Sequence, residues 1–182
     1  CAVTAFKKPT DLELQHDFLW RVHQHVPERG TIAVFNRSHY EDVLVARVEE
    51  LVPKDVWRAR YARINSFEEV LGESGTRVVK IFLQISRAEQ KVRFEERLNA
   101  IDKQWKFDPD DLDKRRKWNL YRAAYRDALG LCSTAHAPWY VIPADRKWFR
   151  DFAVSQIVRE ELEALPLRWP KLPYDPAKIR IP

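Results

Sequence analysis

The sequence predicts an α/β fold, a three-layer sandwich in which helices cover both faces of a mostly parallel sheet. Three observations predict it. Short β-branched and aromatic runs alternate with helical stretches along the whole chain. Two of those runs, Ile32-Ala33-Val34-Phe35 and Val78-Val79-Lys80-Ile81-Phe82-Leu83, are nearly continuous in apolar character, the pattern of parallel strands buried on both faces. The helical stretches open on recognisable capping signals. Buried strands alternating with helices give a parallel sheet, because parallel strands need crossovers that pack back onto its faces.

Taken in order, residues 2–6 read as a strand, and Thr10-Asp11-Leu12-Glu13 opens a helix over 10–26 with a capping box, hydroxyl and carboxylate each satisfying a free N–H. A strand follows over 31–35, and Ser38-His39-Tyr40-Glu41 has the same capping spacing at the start of a helix over 38–50. The next helix spans 53–72, with Ser66-Phe67-Glu68-Glu69 matching the pattern again. A strand over 77–85 runs into Ser86-Arg87-Ala88-Glu89, which caps a helix over 86–100. Residues 102–108 form a polar turn, and Asp108-Pro109 supplies an N-cap with Pro at the first helical position for a helix over 108–131. A strand over 139–142 and a helix over 145–165 complete the domain. The tail, 166–182, holds Pro166, Pro170, Pro173, Pro176 and Pro182 and is expected to lie extended on the surface. No internal repeat or second domain is visible, so residues 1–182 form one domain, within which 87–126 is a distinct basic helical hairpin.

With 182 residues, the chain is long enough to bury one substantial core. At 45% apolar and 32% charged it is neither disordered nor membrane-embedded, and no apolar run approaches the roughly 20 residues that span a bilayer. Cys1 and Cys132 are too few for a disulfide framework and form no C-x-x-C pair, which points to a reducing cytoplasm. Met is absent and the first strand has no lead-in, so Cys1 reads as a cut rather than a natural beginning. The net charge of +5 suggests an anionic partner, and it is local: between Arg87 and Arg126 twelve Lys/Arg face eight Asp/Glu.

Ligands of open α/β sheets bind outside the carboxyl ends of the strands. The run Phe35-Asn36-Arg37-Ser38-His39-Tyr40-Glu41-Asp42 ends one strand and starts a helix, which puts a guanidinium, two carboxylates and free helix N–H groups together as an anion or metal-phosphate site. The same residues have a purely structural reading, in which Ser38 and Glu41 cap and Arg37 pairs with Asp42. In the basic hairpin, Arg93 and Arg97 share a helix face one turn after Gln90, with Lys103 and Lys106 in the turn beyond. Such an element closes over a polyphosphate, or is simply a solvated charged face. Lys7 and Lys8 follow the first strand and either face a phosphate or serve a plain connector. His16, His23 and His25 lack metal-ligand spacing. The Trp residues read as packing, and Cys132, near Thr134 and His136, as an inert thiol. The four glycines, Gly30, Gly72, Gly75 and Gly130, form no G-x-x-x-x-G-K-[ST] phosphate loop.

Several blocks resemble the family-2 polyphosphate kinases, in order, from about residue 6 to about residue 165. They are Phe18-Leu19-Trp20-Arg21, Phe35-Asn36-Arg37-Ser38-His39-Tyr40-Glu41-Asp42-Val43-Leu44-Val45, Ile64-Asn65-Ser66-Phe67-Glu68, Trp105-Lys106-Phe107 and Ala137-Pro138-Trp139-Tyr140-Val141-Ile142. The second is most similar to the subgroup that phosphorylates nucleoside mono- and diphosphates. The resemblance implies a P-loop kinase-like fold, similar to thymidylate kinases, with a helical lid on the basic hairpin. The family's first strand and Walker A loop would lie ahead of Cys1. It implies Mg²⁺-dependent transfer of a terminal phosphoryl group between inorganic polyphosphate and AMP or ADP, with ATP among the nucleotides, by a homo-oligomer. The Walker B segment falls on Asn36-Arg37, which with Asp42 form the implied catalytic set. Many relatives carry Asp at the position of Asn36; an amide supplies no charged Mg²⁺ ligand, which leaves Asp42 and Glu41 for the metal. Glu41, Lys7, Arg93, Arg97, Lys103 and Lys106 are the implied substrate-binding residues. The alternative is a non-catalytic module that binds polyphosphate or another polyanion. Nucleic acid is not an expected partner, because the basic segment has no recognised nucleic-acid motif, and neither is a membrane.

Overall fold

A computed structural model describes residues 1–169 and 171–180. Strand β1 (Ala2–Ala5) pairs in parallel with β2 (Ala33–Asn36), Ala5 opposite Asn36. Strand β3 (Lys80–Gln84) pairs in parallel with β4 (Trp139–Pro143), Lys80 opposite Trp139. The α/β class and the parallel direction match the sequence reading, but the strands form two separate two-stranded ladders rather than one sheet. Burial on both faces is also incomplete: Val34, Leu83 and Val141 are exposed, because each strand has a neighbour on one side only.

Two apolar clusters hold the elements together. The larger takes Tyr40 at the start of α3 (Glu41–Val48) with Val43, Leu44 and Val48 from that helix. It adds Tyr61 and Ile64 from α4 (Lys54–Glu73), Ala124 and Ala128 from α7 (Trp118–Leu131), and Cys132. Small residues at positions 124 and 128 let α7 lie close against α3. Burial pushes the Cys132 thiol up to about 11, in line with an inert thiol. The smaller cluster joins Phe6, Val22 and Phe67.

The first helix breaks in two, α1 (Asp11–Leu14) and α2 (Trp20–His23). The Asp17 carboxylate accepts the Leu19 N–H, a local turn that competes with helix continuation. Thr10 and Glu13 form the full capping box. Ser38 does not cap: α3 begins later, with Tyr40 at the N-cap, and Ser38 Oγ accepts only the Tyr40 N–H, at 3.3 Å. The Ser66–Glu69 pattern lies inside α4, where the helix already satisfies those N–H groups. Helix α5 (Arg87–Asn99) starts as expected from Ser86, which accepts the Glu89 N–H. The polar turn is a 3-10 helix over Ile101–Lys106, and the long helix after it splits at Lys117 into α6 (Asp110–Arg116) and α7. Helix α8 (Lys147–Glu163) follows β4. The described part of the tail is exposed and irregular apart from one 3-10 turn at Pro176–Lys178; Pro170 and Pro182 lie outside the described residues.

Candidate active site

The carboxyl ends of β1, β2 and β3 open into a cleft of about 1660 Å³, walled by α3 on one side and by α5, α6 and α7 on the other. This exceeds the size typical of a single drug-sized ligand, roughly 300–1,000 Å³, and leaves room for two substrates side by side. Lys7, Lys8, Arg37, Arg93, Arg97, Lys114, Arg122 and Arg126 all line it, so cations arrive from the strand ends and from three helices. Among the described residues Lys7, Lys8, Arg37, Arg97, Arg122 and Arg126 make no ion pair. Unpaired cations around one concave surface focus a positive potential into it.

Arg37 follows β2 directly and sits at φ +61°, the left-handed region. For a side chain with a Cβ this costs about 1–3 kcal/mol, and it persists only where the surroundings enforce it. The turn is anchored on one side by the Asn36 carbonyl, which accepts the Phe6 N–H at 3.0 Å. Asn36 itself is exposed and does not line the cleft. On the other side, His39 and Tyr40 plunge into the core.

Glu41 and Asp42 sit in the first turn of α3, where carboxylates complement the helix dipole, and both line the cleft. Arg37 does not pair with Asp42. Arg60 of α4 does, its Nη1 donating to the Asp42 carboxylate at 3.2 Å and to the Asp42 carbonyl at 2.9 Å. Burial pushes the Asp42 carboxyl up, and Arg60, Arg21 and His39 pull against it. Burial also pushes Glu41 up; Arg37 draws it down, and the neighbouring Asp42 raises it further. Glu41 has no ion pair among the described residues. Of these two desolvated carboxylates Asp42 already has Arg60 and Glu41 has no ion pair among the described residues; Mg²⁺ takes one or two carboxylates and fills its octahedron with phosphate oxygens and water, so Glu41, with Asp42 beside it, fits such an ion.

The hairpin residues divide. Arg97 lines the cleft beside the Phe94 ring. Arg93 lines it too, but its guanidinium is occupied: Nε donates to Glu89 at 2.8 Å and Nη2 to the Ala144 carbonyl at 2.6 Å, tying α5 to the end of β4. Lys103 and Lys106 lie outside the cleft on the exposed 3-10 turn, Lys106 over the Trp105 ring. Arg122 and Arg126 of α7 were not singled out in the sequence, although their i,i+4 spacing matches that of Arg93 and Arg97. Tyr125, between them, also faces the cleft, and burial pushes its phenol up to about 12. Where α6 meets α7, Lys117 and Tyr121 both donate to Glu49 of the segment after α3, fastening that junction to the body.

Comparison of the chain with known proteins finds relatives over nearly its whole length. The family model described as polyphosphate kinase 2 matches residues 1–168. An AMP/ADP-polyphosphate phosphotransferase of Meiothermus ruber is 51% identical over 93% of this chain and 63% of its own length. An ADP-polyphosphate phosphotransferase of Rhodopseudomonas palustris is 44% identical over 94% of this chain and 63% of its own length. The crystal structure of polyphosphate kinase 2 from Arthrobacter aurescens superposes with a TM-score of 0.93 at 47% identity, covering 96% of this chain and 62% of that one. The chain thus spans a little under two thirds of the length of these three relatives, and by sequence and fold across that span it belongs to the polyphosphate kinase 2 family.

Proposed function

We propose that the protein of which this chain is part moves a terminal phosphoryl group between inorganic polyphosphate and AMP or ADP. The observation that carries the reading is the cleft at the strand ends, large enough for two substrates and lined by several cations without counter-ions among the described residues. In the forward reaction an oxygen of the nucleotide's terminal phosphate attacks the terminal phosphorus of polyphosphate. The P–O bond to the rest of the chain breaks, and a polyphosphate shorter by one unit leaves. Phosphoryl transfer asks little covalent chemistry of the protein; positioning and stabilisation of charge on the equatorial oxygens supply the catalysis.

Arg37, held at the strand end and lining the cleft, contacts the transferring group in this reading. Arg97, Arg122 and Arg126 face it from the hairpin and suit the polyphosphate chain, whose repeated charges a row of cations matches. Mg²⁺, when bound, would be held by Glu41 and Asp42 and would neutralise charge on the phosphate oxygens. Asp42 is already restrained by Arg60, so Glu41 is the freer ligand. A homo-oligomer in the cytoplasm belongs to the same reading. Among the described residues no helix is long and apolar enough to cross a membrane.

The test is an assay of AMP and ADP phosphorylation with polyphosphate and Mg²⁺, on this chain and on the full-length gene product. Nucleotide product from the full-length protein is the expected result. Salt-sensitive polyphosphate binding with no nucleotide product from either protein would replace the enzyme by a polyanion-binding module.

A further inference from the structure

Behind the Arg37 turn lies a cluster that the cleft does not use. Glu68 of α4 has a fully buried carboxylate. Its Oε1 accepts the Tyr40 hydroxyl at 2.9 Å and contacts His39 Nε2 at 3.2 Å. Its Oε2 pairs with Lys80 Nζ at 2.5 Å. Lys80, the first residue of β3, spends its other two donors on the Tyr40 hydroxyl at 2.9 Å and the Cys132 carbonyl at 2.6 Å. Every hydrogen of the Lys80 ammonium and of the Tyr40 hydroxyl is therefore used. His39 turns Nε2 to the Glu68 carboxylate, and its Nδ1 is buried with no partner among the described residues. The orientation of the His39 ring is thus set by Glu68.

We propose that Glu68 is a positioning residue for phosphoryl transfer: through Tyr40 and His39 it holds the turn that carries Arg37. The inference rests on the phosphotransferase reading above. A left-handed conformation at a residue with a Cβ needs outside enforcement, and the turn supplies little itself, since its one internal side-chain bond, Ser38 to the Tyr40 N–H, is long at 3.3 Å. Two of the three residues after Arg37 end on a single carboxylate, and that carboxylate belongs to another helix and is neutralised from another strand. A buried ion pair is a weak source of net stability compared with apolar side chains of the same shape. It does fix direction, because several short charge-assisted bonds must be met at once. The cluster sets where β2 ends and how Arg37 enters the cleft, and Glu68 never touches substrate.

The test compares Tyr40→Phe, Glu68→Leu with Lys80→Met, and Glu68→Gln with Lys80→Met in the full-length protein. The first removes one hydroxyl and keeps the ring packing; the second replaces the ion pair by apolar groups; the third restores an acceptor for Tyr40 without charge. Expected for the first two is a folded protein in which kcat and kcat/KM fall together by about tenfold or more, the signature of a loss confined to the transition state. The third recovers most of the loss. Amide hydrogen exchange at residues 36–40 accelerates in the first two variants and stays unchanged in α5 and α7. Normal turnover and normal exchange in Tyr40→Phe, or in a folded Glu68→Leu/Lys80→Met, would overturn the proposal. So would exchange that accelerates equally throughout α3 and α4, which marks a general structural role. Should the double variant not fold, Tyr40→Phe decides alone. Should the parent protein make no nucleotide product, the phosphotransferase reading falls, while the exchange data still decide whether Glu68 holds the turn.

Discussion

Arg60 Nη1 donates to both the carboxylate and the main-chain carbonyl of Asp42, at 3.2 and 2.9 Å, so one guanidinium from α4 pins the first turn of α3. Both side chains are largely buried, and the pair joins elements eighteen residues apart in the chain. Removing the guanidinium leaves a largely buried carboxylate without its counter-ion. Arg60→Ala is expected to cost about 2 kcal/mol, within the range for hydrogen bonds to charged groups. The melting temperature should fall by about 4–8 °C for a chain of this size. A change of less than about 1 °C would show that the contact contributes nothing.

Arg37 combines a strained backbone with a side chain that lines the cleft, and the proposed function gives that side chain contact with the transferring group. Arg37→Ala keeps the strain and removes the guanidinium, so folding should be little affected while kcat drops by about 10²-fold or more. Arg37→Gly loses the same side chain and also the Cβ that clashes at positive φ. The relief of about 1–2 kcal/mol exceeds the added entropy cost of glycine, about 0.5–1 kcal/mol. Arg37→Gly should therefore be equally inactive yet more stable than Arg37→Ala. Chemical denaturation of the two variants, read beside their kcat values, checks both halves.

Glu41 gives a pH dependence with a definite sign. Its carboxyl is raised above the ordinary 4.5 by burial. The folded state then holds the proton more tightly than the unfolded state, so this group lowers stability as pH rises from 4.5 through its raised value, and the loss is complete above it. Glu41→Gln removes the titration. The variant should be more stable than the parent at pH 7, and the advantage should vanish as pH falls below about 4.5. Denaturation midpoints across pH 4 to 8, taken in the absence of Mg²⁺, measure it; a constant difference across that range would contradict the assignment.

The division of the hairpin cations makes a paired prediction. Arg122 and Arg126 face the cleft, so replacing both with Ala should raise KM for polyphosphate, leave KM for AMP nearly unchanged and flatten the salt dependence of polyphosphate binding. Lys103 and Lys106 lie outside it, and replacing both should change kcat/KM by no more than about twofold, the usual range of a surface substitution. KM measured at two salt concentrations for both double variants separates them. An effect of Lys103 and Lys106 equal to that of the arginines would mean that the turn closes onto the substrate.

Local chemistry made much of this molecule readable. The four strands appear within a few residues of their expected positions, because β-branched and aromatic runs carry their own preference. The capping box at Thr10 and the cap at Ser86 were legible because both partners lie within one turn. The same pattern caps nothing at Ser66, where it sits in mid-helix and the helix ladder already takes those N–H groups, and at Ser38 the helix begins later than its signal. At Ser38 tertiary packing outweighed a local preference of about 1 kcal/mol. The cleft was legible in part. Strand ends and capped helices pointed to Arg37, Glu41 and Asp42, and helical spacing in the basic hairpin pointed to Arg93 and Arg97, whereas Arg122 and Arg126 came forward only once α7 was seen to wall the cleft.

By itself the sequence determined the α/β class, the parallel direction of the strands, the strand-end position of Arg37 and the local excess of positive charge. Each follows from residue preferences and spacings that act over a few positions. Only the tertiary structure decided which charges pair. Asp42 meets Arg60 rather than Arg37, and Glu68 meets Lys80, Tyr40 and His39, although nothing in the spacing of those residues links them. Partners so far apart are chosen by how α3, α4 and β3 pack, and a charge carried out of water takes whichever counter-ion that packing brings within reach.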